Sequence, residues 1–267
     1  MGRFEEKVVI VTGASSGIGR ACAIRFAKEG AYVLITGRNV NELETTKQEC
    51  TQSGSTLNKI AKVEGDIRKT EVQEAILRSA LLFTGEINIL INNAGISIMK
   101  TICESTTEDI QNILDTNLVS VVALTKLILP HLYRTKGCIL NVSSLAGTKP
   151  VPSMACYSIS KAALNMLTNV LALEAAPHGV RVNAINPAVI EDTDIWNRFG
   201  LTKEHLEYAL NEMKLIHPLG RFGTTEDVVN SIIFLCSPDA SFITGLCHKI
   251  DGATHYAMPS SLDTART

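Results

Sequence analysis

An excess of positive charge is missing from this 267-residue chain: 25 Lys and Arg stand against 27 Asp and Glu, a net charge of −2. The basic residues are scattered, with nothing denser than Arg68-Lys69. A polyanion-binding surface needs a basic patch or stripe, so neither nucleic acid nor an anionic membrane surface is an expected partner. Paired cysteines are missing as well. The seven present (Cys22, Cys50, Cys103, Cys138, Cys156, Cys236, Cys247) are odd in number, widely spaced and free of any C-x-x-C. That argues against a disulfide framework or a zinc site and fits a reducing compartment. The six histidines include no H-E-x-x-H, and no metal site is expected.

Long apolar runs are also lacking. A spanning helix needs about 20 consecutive apolar residues, and Leu118–Leu132 is interrupted by Lys126 and Pro130. The N-terminus, MGRFEEKVVIVTG, is too charged and too short in apolar residues for a signal peptide, and Ala265-Arg266-Thr267 matches no retention tail. No membrane association is expected, and the cytoplasm is the expected location. No Pro/Gly/Ser-rich linker divides the chain, so residues 1–267 are expected to form one domain.

What is present is alternation. Short apolar runs at Lys7–Thr12, Tyr32–Thr36, Leu57–Val63, Ile89–Asn92, Gly137–Val142, Arg181–Asn186 and Cys247–Asp251 lack period-two patterning, as strands covered on both faces do. Helical stretches fall between them at Gly17–Lys28, Val40–Ser53, Thr70–Phe83, Thr107–Arg134, Ser153–Ala176 and Thr224–Cys236, with Thr70, Thr107 and Thr224 as N-caps before acidic residues. Such alternation predicts an α/β fold, a doubly wound parallel sheet with helices on both faces. Residues 188–219 form the one long irregular stretch, expected to be a substrate lid with short helices near Asp192–Phe199 and Thr202–Met213.

Two stretches carry chemistry. Thr12-Gly-Ala-Ser-Ser-Gly-Ile-Gly19 joins the first strand to the first helix. Glycines at 13, 17 and 19 allow a tight turn and close approach of a pyrophosphate, with the helix N-terminus aimed at it. No Gly-Lys-Ser/Thr follows, which excludes a P-loop. Further on, Ser143–Lys161 sets Tyr157 and Lys161 four apart, on one face of a helix. A nearby ammonium favours the phenolate and brings the tyrosine closer to the range useful for acid–base work. Ser144 lies thirteen residues upstream, at the end of the run Cys138–Val142.

Together TGASSGIG (12–19), Asp66, Asn92-Asn93-Ala94-Gly95, Asn117, Ser144 and Tyr157-Ser-Ile-Ser-Lys161 resemble the short-chain dehydrogenase/reductases. Asn183, Asn186-Pro187 and Asp251-Gly252 extend the resemblance from Lys7 to Gly252. It implies a single-domain Rossmann-like sheet of about seven strands in the order 3-2-1-4-5-6-7. It also implies roles. Tyr157 would be the general acid or base, Ser144 would orient the substrate oxygen, and Lys161 would lower the tyrosine pKa and hold the nicotinamide ribose. Asn117 would support a water linking Lys161 to solvent. Gly13, Ser15, Ser16, Gly17, Ile18 and Gly19 would cradle the cofactor, Asp66 and Ile67 would contact the adenine, and Asn93, Ala94 and Gly95 would fix the adenosine side. Pro187, Ile190 and Thr193 would meet the nicotinamide end.

The second strand ends Leu34-Ile-Thr-Gly-Arg-Asn39. An NAD-selective site places an acid there for the ribose 2′-hydroxyl, whereas an arginine accommodates a 2′-phosphate. With Gly37 in the acid's place and Arg38 and Asn39 following, NADP(H) is the expected cofactor and carbonyl reduction the expected direction. One departure from the family pattern is Pro187-Ala188 in place of Pro-Gly, with Thr193 one residue late. The expected substrate is a small, apolar ketone, aldehyde or alcohol, walled by Ile96, Leu145, Val151, Met154, Ile195, Trp196, Phe199 and Leu206. The nearly all-apolar helix Ser153–Ala176 predicts a homo-oligomer, a tetramer by resemblance. Alternatives at this level are an NAD-preferring alcohol dehydrogenase, a lyase or epimerase on the same fold, and a non-catalytic dinucleotide-binding regulator or scaffold.

Overall fold

Runs such as Val8–Thr12 and Cys138–Val142 are buried at every position, as a parallel strand with helices on both faces requires. The computed structural model describes residues 2–193 and 217–257. In it β1 (Val8–Thr12), β2 (Tyr32–Gly37), β3 (Ile60–Glu64), β4 (Ile89–Asn92), β5 (Cys138–Val142), β6 (Arg181–Pro187) and β7 (Cys247–Ile250) form one sheet. The order is β3-β2-β1-β4-β5-β6-β7, with every pair parallel. The expected order is met. β1 pairs with both β2 and β4, so the order reverses there and a crevice opens outside the strand C-termini.

Helices cover both faces. On one, α1 (Gly17–Lys28), α2 (Val40–Gln52) and α7 (Thr225–Cys236) pack Phe26, Leu43 and Ile232 against Val9, Val33 and Ile185. On the other, α3 (Thr70–Thr84), α5 (Ser120–Thr135) and α6 (Ala155–Ala175) pack Ile76, Leu124, Ile128 and Leu171 against Ile10, Leu34 and Val182. Each fully buried side chain of this size contributes about 1.5–3 kcal/mol relative to exposure. The helix run Thr107–Thr135 is long and apolar enough to cross a bilayer, yet its Leu124–Ile128–Leu132 stripe is spent on the sheet.

Local corrections follow from turn chemistry. The expected strand Leu57–Val63 opens with a 3₁₀ turn at Leu57–Lys59, and pairing begins at Ile60. The expected helix Thr107–Arg134 is α4 (Thr107–Leu114), a π-turn over Asp115–Val119, and α5. Its cap is Thr106, in a reciprocal capping box with Asp109; Thr224 caps α7 in the same way with Asp227. Thr70 is the first residue of α3 and caps nothing. The expected helix start at Ser153 moves to Ala155, because Ser153 sits at φ 61, a left-handed conformation outside any α-helix.

Candidate active site

Two sets of residues converge on the crevice. The first is the turn between β1 and α1. Gly13 and Gly17 have φ of 66 and 53, a region costly to side-chain-bearing residues. A Cβ on Gly13 would lie 2.7 Å from Ala94 Cα, and one on Gly19 would overlap Gly13 O. Ser16 caps α1 without a side-chain hydrogen bond, which leaves the first-turn amides and the positive helix end for an anion. The result is a cleft of about 380 Å³ lined by Gly13, Ser15, Ser16, Gly17 and Ile18 on one side. Arg38, Asn39, Asp66, Ile67, Asn93, Ala94, Gly95 and Thr193 complete it. Glycines whose absent side chains shape the cleft, and free helix amides at its centre, fit a dinucleotide pyrophosphate.

Some expected contacts have other partners in the fold. Asn93 braces the cradle from behind, donating from Nδ2 to Thr12 O at 2.8 Å and Gly13 O at 3.0 Å. Asn39 caps α2 by accepting from Glu42 N at 3.2 Å. Asp66 is gripped by Arg68, with Nε at 3.0 and 2.9 Å from the two carboxylate oxygens. That guanidinium, with Arg38 adding to it, holds the Asp66 carboxyl below the usual range. Pro187 and Ile190 are buried in β6 and the core and do not line the cleft. Ala188 needs no glycine: its φ is negative and its amide donates to Ile250 O at 3.0 Å. Thr193 does reach the cleft, its Cγ2 3.3 Å from where a Gly17 Cβ would stand.

The second set sits at the end of β5. Ser144 is extended and accepts from Ala146 N at 3.2 Å, leaving its own proton to donate. Burial pushes the Tyr157 phenol's pKa up; the neighbouring Ser144 hydroxyl favours the ionised form and is the smaller effect. Lys161 Nζ lies 5.7 Å from the Tyr157 ring centre and donates to Val142 O at 2.8 Å. Burial alone brings its pKa down to about 8. The expectation from spacing is the opposite direction: burial outweighs the Ser144 hydroxyl, and the phenol holds its proton more strongly than a free tyrosine. Ser143 is structural, donating to Lys161 O at 3.1 Å.

Asn117, in the π-turn, is wholly buried. Its Oδ1 accepts from Ile96 N at 2.8 Å, while Nδ2 donates to Ile96 O at 2.9 Å and Ser160 Oγ at 3.0 Å. These bonds use both Nδ2 hydrogens and one of the two Oδ1 lone pairs, so the side chain is fixed in place with one acceptor site to spare. Ser160 Oγ continues the chain to Tyr157 O at 2.7 Å. Gly95 joins the two sets: a Cβ there would stand 3.2 Å from Asn117 Oδ1 and 3.6 Å from Lys161 Nζ. Ser160, and the cleft residues Glu42, Gly65 and Thr116, were not singled out by sequence reasoning. Only Ser160 had a signal, its place beside Lys161.

A glycine cradle at the β1–β4 switch point and a Ser–Tyr–Lys group at the β5 end are neighbours, meeting at Gly95. The family profile described as short chain dehydrogenase matches residues 7–204. This chain belongs to the short-chain dehydrogenase family. It is similar to 4-formylbenzenesulfonate dehydrogenase of Comamonas testosteroni, 36% identical over 93% of this chain and 98% of the relative. A short-chain dehydrogenase/reductase of unknown function from Caenorhabditis elegans, solved with cofactor, superposes with a TM-score of 0.89. It is 37% identical, over 97% of this chain and 98% of that one. A 3-ketoacyl-(acyl-carrier-protein) reductase from Brucella melitensis complexed with NADH gives 0.84 at 32% identity, over 94% and 99%. As a short-chain dehydrogenase the protein is an oxidoreductase of alcohol and carbonyl groups in small molecules, with a nicotinamide dinucleotide as cofactor.

The expected substrate wall is partly visible. Leu145 is buried, Val151 is exposed, and Ile96 also lines the cofactor cleft. Ile195, Trp196, Phe199 and Leu206, with the expected helices of the 188–219 stretch, lie outside the described residues.

Proposed function

We propose that the protein is an NADP(H)-dependent carbonyl reductase acting on an apolar small molecule. The observation that carries the catalytic reading is the buried Tyr157 phenol, with Ser144 beside it and Lys161 flanking its ring. A bound nicotinamide would supply the hydride; the chain's own residues supply position and a proton. Ser144 Oγ donates to the substrate oxygen and fixes it beside Tyr157 Oη. The phenol, kept neutral by burial, gives its proton to that oxygen as negative charge develops there. Lys161, charged at neutral pH with a pKa of about 8, stabilises the phenolate that remains. Asn117 and Ser160 hold Tyr157 and Lys161 at their stations. A phenol that keeps its proton suits reduction; the reverse reaction needs it deprotonated and is favoured by alkali.

The cofactor reading rests on the end of β2. Gly37 carries no acid, and a Cβ there would overlap Ser15 Oγ as that side chain now stands. Arg38 is exposed, lines the cleft and makes no ion pair among the described residues. A guanidinium so placed can grip a 2′-phosphate through two hydrogen bonds. An apolar substrate is supported by Leu145 next to Ser144 and by Val151 and Met154 in the segment that leads from there into α6. The exposed stripe Ile159, Met166, Val170 and Leu173 on α6 supports self-association. We place the assembly at four chains, on the family resemblance; light scattering that returns a monomer would remove that part.

Binding of NADPH and NADH to wild type and to Arg38→Asp tests the cofactor. NADPH is expected to bind more tightly to wild type, and the variant to lose on the order of 100-fold for NADPH and little for NADH. Equal losses for the two nucleotides would sink the assignment. NADPH oxidation across a panel of apolar ketones, hydroxy acids and sugars tests the substrate class, and turnover confined to the polar members would contradict it.

A further inference from the structure

Three charged residues line the cofactor cleft: Arg38, Glu42 and Asp66. The two acids are each matched by an arginine that stands behind the lining. Arg68 holds Asp66. Arg20, on α1, holds Glu42 in an ion pair, and its guanidinium also donates to Ser15 O at 2.5 Å and Thr46 Oγ1 at 3.0 Å. Arg20 is largely buried, 23% exposed, and Glu42 is 47% exposed. Among the described residues Arg38 is left as the unmatched charge of the cleft.

Glu42 belongs to the first turn of α2, three residues beyond the Asn39 cap. It therefore shares the wall that carries Gly37, Arg38 and Asn39. A carboxylate released there would do what an acid at position 37 does in an NAD-selective site: repel a 2′-phosphate and accept from a 2′-hydroxyl. Gly37 alone does not make the cleft tolerant of phosphate; the second acid must also be silenced.

We infer that the Arg20–Glu42 ion pair determines cofactor specificity, with Arg20 withdrawing Glu42 from the adenosine-ribose end so that Arg38 can take the 2′-phosphate. The inference rests on the NADP(H) reading above. Arg20 is a positioning residue, acting through Glu42 and through the Ser15 carbonyl. The first action discriminates between the two nucleotides; the second affects both alike.

The test is a double-mutant cycle of dissociation constants for NADPH and NADH by nucleotide fluorescence, with wild type, Arg20→Gln, Glu42→Gln and the double variant. Arg20→Gln is expected to lower the NADPH-over-NADH preference on the order of 10-fold, the effect of an unmatched like charge beside the phosphate. Adding Glu42→Gln is expected to restore the preference to about the wild-type ratio, while Glu42→Gln alone retains it. Arg20→Lys, which keeps a cation beside Glu42 and guards against a folding defect, is expected to retain it as well. If Arg20→Gln weakens both nucleotides equally, or the double variant fails to restore the ratio, Arg20 merely braces the Ser15 turn and the inference is overturned. A wild-type protein that prefers NADH would instead remove the NADP(H) reading itself, a separate result read from the first titration.

Discussion

Replacing Lys161 with methionine should abolish most activity and yet stabilise the fold at neutral pH. The lysine is 4% exposed, and burial lowers its pKa from 10.5 to about 8. At pH 7 it is charged in both the folded and unfolded chain, so the folded state carries the whole penalty, on the order of 3 kcal/mol. Methionine fills similar space without charge, but leaves Val142 O without the ammonium that bonds it at 2.8 Å, a loss of about 1–2 kcal/mol. The net expectation is a gain of about 1–2 kcal/mol for Lys161→Met. The sign with pH is distinctive. A lowered folded-state pKa means the unfolded chain binds more protons between about 8 and 10.5, so wild-type stability rises with pH there. By pH 9.5 wild type should recover about 2 kcal/mol relative to pH 7, and the gap to the variant should close. Urea unfolding of the cofactor-free proteins at the two pH values measures this. A gap that does not change with pH, or a variant less stable at pH 7, would refute the reasoning.

Other consequences follow from the same geometry. Asn117→Ala should cost about 2–4 kcal/mol, because it leaves the Ile96 amide and carbonyl and Ser160 Oγ without their partner in the interior. Its turnover should fall more than its cofactor affinity, as single-turnover rates beside nucleotide titrations would show. Ser144→Ala should lower turnover on the order of 10²-fold while leaving cofactor affinity within about threefold; an equal fall in nucleotide binding would contradict its assignment to the substrate oxygen. Reduction should slow as pH rises above about 8, where Lys161 loses the charge that stabilises the phenolate left by proton transfer; a rate that stays flat from about pH 7 to 9.5 would show that the lysine does not set the pH dependence. Ala188→Gly should leave cofactor binding unchanged, because Ala188 already has an ordinary backbone conformation and its hydrogen bond to Ile250.

The inner strands of the sheet were legible because they are buried on both faces, which writes a continuous apolar run that needs no partner to be read. The edge strands β3 and β7 are only partly buried. All seven were found, and their order was supplied by the family resemblance. The glycine cradle was legible for a related reason: Gly13, Gly17 and Gly19 are required by backbone conformation and close approach, which are local properties. Side-chain pairing was not legible. Nothing in the spacing of Arg20 and Glu42, 22 residues apart, distinguishes their ion pair from two solvated surface residues; it exists because α1 and α2 pack side by side. Asp66 and Arg68 are only two apart, yet the pattern does not say whether the carboxylate faces the cleft or the guanidinium. The proton chemistry of Tyr157 was half legible. Spacing placed Lys161 on the same helix face, but which effect dominates the phenol depends on burial, and burial is a property of the finished fold. The π-turn at Asp115–Val119 was hidden because its residues continue the helical pattern on both sides.

Tyr157 carries the central claim, and one measurement isolates it: hydride transfer from NADPH to an apolar ketone in a single turnover, wild type against Tyr157→Phe, both saturated with cofactor. Removing the phenolic oxygen should leave nucleotide affinity within a few-fold and slow the transfer on the order of 10²–10⁴-fold, the range for loss of a positioned general acid. A variant that reduces the ketone at the wild-type rate would contradict the assignment of Tyr157 as the proton donor.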